Sequence, residues 1–314
     1  MLNRRHIRIK VMQTLYAFNG TEGDDLKKDE KFLLQSLESM YDLYLIIMSL
    51  FVEVHKKAED HITKTQKKFL ATNEEKNPNL KFVNNQVLVL IKDNASLKNE
   101  LEKRKLNYWY LDFEYVDILF KAILESSIYA DYMKTKVSNF NEDKNFLIDI
   151  FSEVIAPNDK LYDYFEDKKL TWMDDLPIVN TSILKLLKKV KPKVPETYFT
   201  PNLYKDLEDR DFAIDLFRKT ILNHSKFSEE ISEKTTNWDS DRIANLDAVM
   251  LKMALCEFQK FPSIPIKVTI NEYLEIAKEY STPKSSIFVN GILDKIVKEY
   301  SEEGKYPKSG RGLL

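Results

Sequence analysis

The residues best suited to chemistry lie at the start of the chain. Arg4, Arg5, Arg8 and Lys10 crowd one short segment, and no acidic residue precedes Glu22. Guanidinium groups bind phosphates through paired hydrogen bonds and stack on bases. Tyr16 adds a ring farther along the same helix. Aromatic rings give unpaired bases a stacking surface worth roughly 1–3 kcal/mol each. The chemistry implied is recognition of single-stranded RNA. A solvated basic helix face carries the same residue types, so the cluster alone leaves both readings open.

Catalytic constellations are lacking. The histidines are His6, His55, His61 and His224. His55 and His61 do not share a helix face in the way that metal ligands at i and i+4 do. Cys256 is the only cysteine and sits in the apolar run Met253-Ala254-Leu255. It reads as a small buried hydrophobe, and it rules out an intramolecular disulfide or a multi-cysteine zinc site. Asp149 and Asp215 lie within apolar runs and read as structural. Gly291 is the only glycine between Gly23 and Gly304. That leaves no phosphate-cradling loop and no dinucleotide fingerprint. The expectation is a protein that is not an enzyme and uses no cofactor or metal.

Composition sets the frame for these residues. The chain has 314 residues with a net charge of −2, 43% hydrophobic and 31% charged. Such a chain reads as soluble and long enough for two helical units. A nucleic-acid site must come from local clustering, because bulk charge supplies none. The uncharged run from Leu43 to Val52 is about half of the ~20 residues that cross a bilayer, so it reads as a buried helix. Asn19, Gly20 and acidic residues follow the basic start where a leader would need an apolar run. A lone reduced cysteine fits the cytoplasm.

Helical elements must position the site. Ile7, Val11, Leu15 and Phe18 make one apolar stripe over 2–18, closed by Asn19-Gly20. One or two long helices are predicted over 26–69, then a loop over 71–81 and helix over 83–91. Helical patterns follow at 93–106, 112–138, 143–155 (capped by Asn141) and 178–190, with Pro157 suited to a first turn. Pro192, Pro195 and Pro201 mark a linker. Helices are predicted at 203–234, 241–260, 267–280 and 284–300. The tail 301–314, with Lys305, Lys308 and Arg311, reads as flexible and basic.

An internal repeat is also legible. Asp143, Phe146, Ile148, Asp149, Phe151, Ile155 and Trp172 recur in register as Asp209, Phe212, Ile214, Asp215, Phe217, Ile221 and Trp238. Residues 143–190 therefore read as a degenerate copy of 209–257.

Two stretches carry a family resemblance. Near the C-terminus, Pro265 leads a helix with Ile270-Asn271-Glu272, and Phe288-Val289-Asn290-Gly291 opens the next. Gly291 within a helix costs about 1 kcal/mol against Ala, which points to close approach by another helix or a ligand. At the N-terminus, Arg4-Arg5 and Arg8 lead to Gln13-Thr14-Leu15-Tyr16. Together these stretches resemble the bacterial transcription antitermination family NusB, over residues 1–18 and about 203–300. The resemblance implies an all-α, NusB-like double antiparallel helical bundle, with an additional helical unit inserted after the first helix. Its parts would be 1–20 (first helix), 24–200 (insertion), 203–300 (C-terminal domain) and 301–314 (tail).

The resemblance also implies a function. It is to bind boxA-type single-stranded RNA of ribosomal RNA transcripts with the ribosomal protein NusE, for the RNA polymerase elongation complex. RNA contacts would fall on Arg4, Arg5, Arg8, Lys10, Gln13, Tyr16 and Phe288, with Lys284 adding charge beside the RNA path. Asp247 and Lys252 would face a protein partner. Two alternatives are a helical protein-interaction scaffold and a stand-alone RNA-binding domain like that of RNA cytosine methyltransferases.

Overall fold

The computed structural model describes residues 1–18, 26–235, 244–302, 304 and 307–313. Its α-helices, in chain order, are α1 (Arg4–Phe18), α2 (Leu26–Gln66), α3 (Asn73–Lys76), α4 (Gln86–Lys92), α5 (Ala95–Arg104), α6 (Tyr108–Leu111), α7 (Phe113–Glu125) and α8 (Ser127–Tyr132). There follow α9 (Phe140–Ile150), α10 (Asp159–Lys168), α11 (Leu176–Lys189), α12 (Leu207–Leu222), α13 (His224–Lys234), α14 (Asn245–Lys260), α15 (Ile266–Tyr280) and α16 (Ser285–Glu302). No strand occurs among the described residues. The fold is all-α over the described residues.

Two compact units share the chain. One comprises Met1–Leu37 and Leu203–Leu314, the other Glu38–Asn202. In the first, α1 packs on α12, α14 and α15, while α14 also touches α13 and α16. The reason is in the sequence of α14, which buries Val249 to Leu251 and Met253 to Phe258. A helix that is apolar nearly all round needs neighbours on every side. The stripe of α1 fits against it: Ile7, Val11 and Leu15 are buried.

In the second unit, two tryptophans hang on α2. Trp109 donates its indole N–H to Ile46 O and Ser49 Oγ at 3.1 and 2.9 Å. Trp172 donates to Ser39 O and Oγ at 3.0 and 2.7 Å. Lys81 is buried and satisfied by Tyr132 O, Thr135 Oγ1 and the Glu142 carboxylate. A buried ammonium survives only when paired in this way.

Several boundaries differ from the sequence expectation. Residues 26–66 are one helix. The pattern over 112–138 splits at Ser126, whose extended backbone ends α7 and whose hydroxyl caps α8 by accepting from Tyr129 N. Asn139, not Asn141, caps α9, accepting from Asn141 N and Glu142 N. The last turn over 151–155 is a π-turn. Asn158 caps α10, so Pro157 precedes the cap. Asp206 caps α12, and Asn223 separates α12 from α13.

Gly291 is a correction of another kind. A Cβ there would meet nothing within 4 Å. The glycine does not serve helix packing, and the residue faces open space. The tail is more ordered at 307–310 than its composition implied. Lys308 Nζ donates to Glu257 O and Phe261 O, both at 3.0 Å, and Ser309 N donates to Pro262 O. Cations at a helix C-terminus satisfy its unpaired carbonyls. The expected closure at Asn19-Gly20, the repeat position Trp238, and Lys305 lie outside the described residues.

Candidate functional site

The three arginines of α1 take up three different environments. Arg8 is buried, and its Nε and Nη2 donate to the two carboxylate oxygens of Glu257 at 2.7 and 2.8 Å. Glu257 is fully buried and also accepts from Thr269 Oγ1 at 3.0 Å and Tyr273 OH at 2.8 Å. Burial works against the Arg8 charge, but Glu257 outweighs it and holds the guanidinium above its ordinary pKa. The same burial, with Glu257 beside it, pushes the Tyr273 hydroxyl well up.

Arg5 and Arg4 sit at the surface of this network. Arg5 donates Nε and Nη2 to Glu272, both at 2.9 Å. Those hydrogen bonds raise its pKa. Arg4 Nε donates to Asp209 at 2.9 Å, with its guanidinium 5.1 Å from the centre of the Phe212 ring. Both side chains remain over a third exposed (39% and 38%). Arg8 also lies over Phe212, at 5.2 Å. The ring is therefore shared by two cations, a favourable place for charge.

These arginines line one cleft of about 630 Å³ with Asn3, Pro265, Val268 and Glu272. Each arginine there has its own carboxylate (Asp209 and Glu208 for Arg4, Glu272 for Arg5, Glu257 for Arg8), and the walls at Pro265 and Val268 are apolar. A phosphate could bind the exposed edges of Arg4 and Arg5 in competition with Glu208 and Glu272, without a change of fold.

Other residues singled out by sequence lie elsewhere. Lys10 is buried and Gln13 half-buried, whereas Tyr16 is half exposed (50%) on the last turn of α1. Lys284 is exposed just before α16, and Phe288 is half-buried on its first turn. None of these lines the arginine cleft. Asp247 is buried and accepts from Ser281 Oγ at 2.7 Å. Lys252 Nζ lies 2.6 Å from His224 Nε2. Burial lowers both pKa values, and the Lys252 charge lowers His224 further. The pair lines a separate cavity of about 240 Å³ with Leu15, Phe18, Ile221 and Val249. Among the described residues, no group of three or more His, Cys, Asp or Glu could hold a metal ion. No described helix is long and apolar enough to cross a membrane.

Sequence reasoning missed the acids that hold the arginines: Asp209, Glu257 and Glu272. One signal was present. Glu257 is the only charged residue between Lys252 and Lys260, inside Met-Ala-Leu-Cys-Glu-Phe-Gln. A lone carboxylate in such a run needs a buried partner.

Known proteins place this unit. Residues 189–298 match the NusB family. A protein of Salinibacter ruber named "Transcription antitermination protein NusB" is 44% identical over 112 residues, which are 36% of this chain and 70% of that protein. The chain belongs to the NusB family. A NusB of Chloroherpeton thalassium is 38% identical over 122 residues, 39% of this chain and 58% of its own length, so the match spans under two thirds of that relative. A solved structure of T. maritima NusB is 34% identical, covering 40% of this chain and 80% of its own, with a TM-score of 0.30. The family match contains Glu257, Glu272, Lys284 and Phe288, and begins after α1. Contacts to α12, α14 and α15 join that arginine helix to the NusB-family helices.

Proposed function

We propose that this chain is a cytoplasmic transcription antitermination factor. It binds boxA-type single-stranded RNA of ribosomal RNA transcripts, together with the ribosomal protein NusE, and delivers both to the RNA polymerase elongation complex. The name borne by its relatives supports the first part. The observation that carries RNA binding is the cleft at Arg4 and Arg5. Two guanidinium groups, each over a third exposed, are held by Asp209 and Glu272 beside the buried Arg8–Glu257 pair. Electrostatic contacts there set affinity, and stacking on Tyr16 and Phe288 sets base preference. Arg8 and Lys10, buried as they are, act as positioning residues. Lys252 and the cavity beside it are the surface offered to NusE. The role is recognition, with no bond made or broken.

The test is fluorescence anisotropy with a labelled boxA-type strand and a scrambled strand. Each is titrated with and without NusE, at low and near-physiological salt. Preferential binding that strengthens with NusE is expected. In an Arg4→Ala/Arg5→Ala chain that affinity should fall and its salt dependence flatten, because each lost phosphate contact removes about 0.7 from the slope. Lys284→Glu should weaken binding severalfold, and more so at low salt. Equal affinity for both strands under every condition would retire the reading.

A further inference from the structure

Residues 108–115 of the second unit, Tyr-Trp-Tyr-Leu-Asp-Phe-Glu-Tyr, point their rings two ways. Trp109 is buried against Tyr164 and Phe165. Tyr108 meets Trp172, and Tyr115 packs 4.4 Å from Tyr164, centre to centre. Those rings hold the unit together. Tyr110, Leu111 and Phe113 do not: they are 82%, 75% and 63% exposed. Asp112, between them, is already neutralised, accepting from Lys168 Nζ at 2.9 Å and Tyr164 OH at 2.7 Å.

Lysines lead into this surface. Helix α5 ends at Lys103-Arg104, and Lys105 follows. Arg104 is taken by Glu38, Asp42 and Glu100. Lys103 is exposed, with one loose contact to Glu100 at 3.5 Å. Lys105 is exposed and holds φ at 57°, the left-handed conformation. It is the only described non-glycine residue with positive φ. Glycine caps a helix in that conformation without steric penalty, and lysine does not. A strained residue that keeps a long cationic side chain in solvent points to a use for that side chain.

Exposed rings a few residues along the chain from exposed lysines are the make-up of a single-strand platform, where bases stack and phosphates pair. An apolar protein partner would call for aliphatic neighbours, and Leu111 alone supplies one in this segment. We propose that Lys103, Lys105, Tyr110 and Phe113 form a second single-stranded RNA contact, carried by the inserted unit. Unpaired bases stack on Tyr110 and Phe113, and the backbone between them meets Lys103 and Lys105. Glu114, exposed beside Phe113, opposes the strand. The contact rests on the reading of this chain as an RNA-binding protein, but not on boxA or NusE.

The full chain carrying Arg4→Ala/Arg5→Ala isolates this contact from the arginine cleft. Labelled oligouridine should still bind it. Adding Tyr110→Ala/Phe113→Ala should weaken that binding about thirtyfold or more, the loss of two stacked bases. Adding Lys103→Ala/Lys105→Ala instead should lower the salt slope by roughly 1.4. Glu114→Gln should tighten binding. Ultraviolet crosslinking of oligouridine should map to the peptide holding Tyr110 and Phe113. Circular dichroism melting checks that each chain folds. Oligouridine affinity unchanged by Tyr110→Ala/Phe113→Ala, with no crosslink in 103–115, overturns the proposal and leaves the patch to a protein. Loss of boxA preference with oligouridine binding intact sinks only the antitermination reading.

Discussion

Arg8 and Glu257 meet as a two-point ion pair in the interior, joined by hydrogen bonds of 2.7 and 2.8 Å. They are 249 residues apart in sequence. The pair fixes α1, the helix whose first turn carries Arg4 and Arg5, to α14. Thr269 and Tyr273, both on α15, complete the carboxylate's partners, so one buried group ties three helices. Breaking such a pair leaves an uncompensated charge and costs about 3–5 kcal/mol, whereas replacing both members with apolar groups is far milder. Glu257→Gln should therefore destabilise the chain severely, and Arg8→Met/Glu257→Leu much less once Thr269→Val and Tyr273→Phe also remove the two hydroxyls that would lose their acceptor. Thermal and urea unfolding followed by circular dichroism decide this. A Glu257→Gln chain as stable as wild type would remove the pair from its structural role.

Cys256 gives a prediction for the same helix. Burial pushes its thiol up to about 12. The thiolate is the reactive form, so the native chain should resist alkylation at pH 8 and react once unfolded in guanidinium. The linkage sign follows. Between the usual thiol value of 9.0 and about 12, the native state keeps a proton that the unfolded state has lost. This contribution to stability is complete below pH 9 and declines as pH rises toward 12. Comparing unfolding of wild type and Cys256→Ala from pH 8 to 11 measures it. Wild type should lose more stability than the variant over that range, and rapid native labelling at pH 8 would show the thiol is accessible.

Gly291 separates packing from binding. Open space surrounds its missing Cβ. Gly291→Ala should then stabilise α16 by up to about 1 kcal/mol, since alanine is the better helix former and meets no clash. Gly291 lies one turn beyond Phe288, a ring proposed to stack on a base. If the open space is kept for RNA, the same variant should melt higher and bind boxA-type RNA more weakly. A rise in melting temperature with unchanged RNA affinity would free this position from the site.

Much of this was legible in the sequence because the signals were local. Ile7, Val11 and Leu15 formed a stripe and are buried. The Pro265 entry and the Phe288-to-Gly291 start fall at the beginnings of α15 and α16. The helix break at Ser126 was less visible, because apolar periodicity runs across it and only a cap marks the stop. The fate of the basic cluster was not legible at all. A cation on an amphipathic helix reads as a solvated face, and only distant acids show otherwise. Arg8 is drawn inside by Glu257, and the lone carboxylate in the apolar run of α14 announced a buried partner without showing which cation it takes. Lys10 is buried on the same helix.

Glu272 supplies the sharpest test of how the cleft works. It accepts two hydrogen bonds from Arg5 and lies 3.7 Å from Arg8 Nη1. The Arg5 pair is partly exposed, so its own worth to stability is under about 1 kcal/mol. Its effect on a ligand is larger, because a phosphate must compete with the carboxylate for Arg5. Glu272→Gln removes one negative charge from the cleft and loosens Arg5. Affinity for any single strand should rise, with a steeper salt dependence. Discrimination between boxA-type and scrambled strands should fall, because an arginine that is no longer held in one geometry selects less. Anisotropy titrations of both strands, at two salt concentrations, measure the two effects together. If affinity drops for both strands alike, Glu272 acts only as a brace, and the cleft depends on Arg5 staying where the carboxylate holds it.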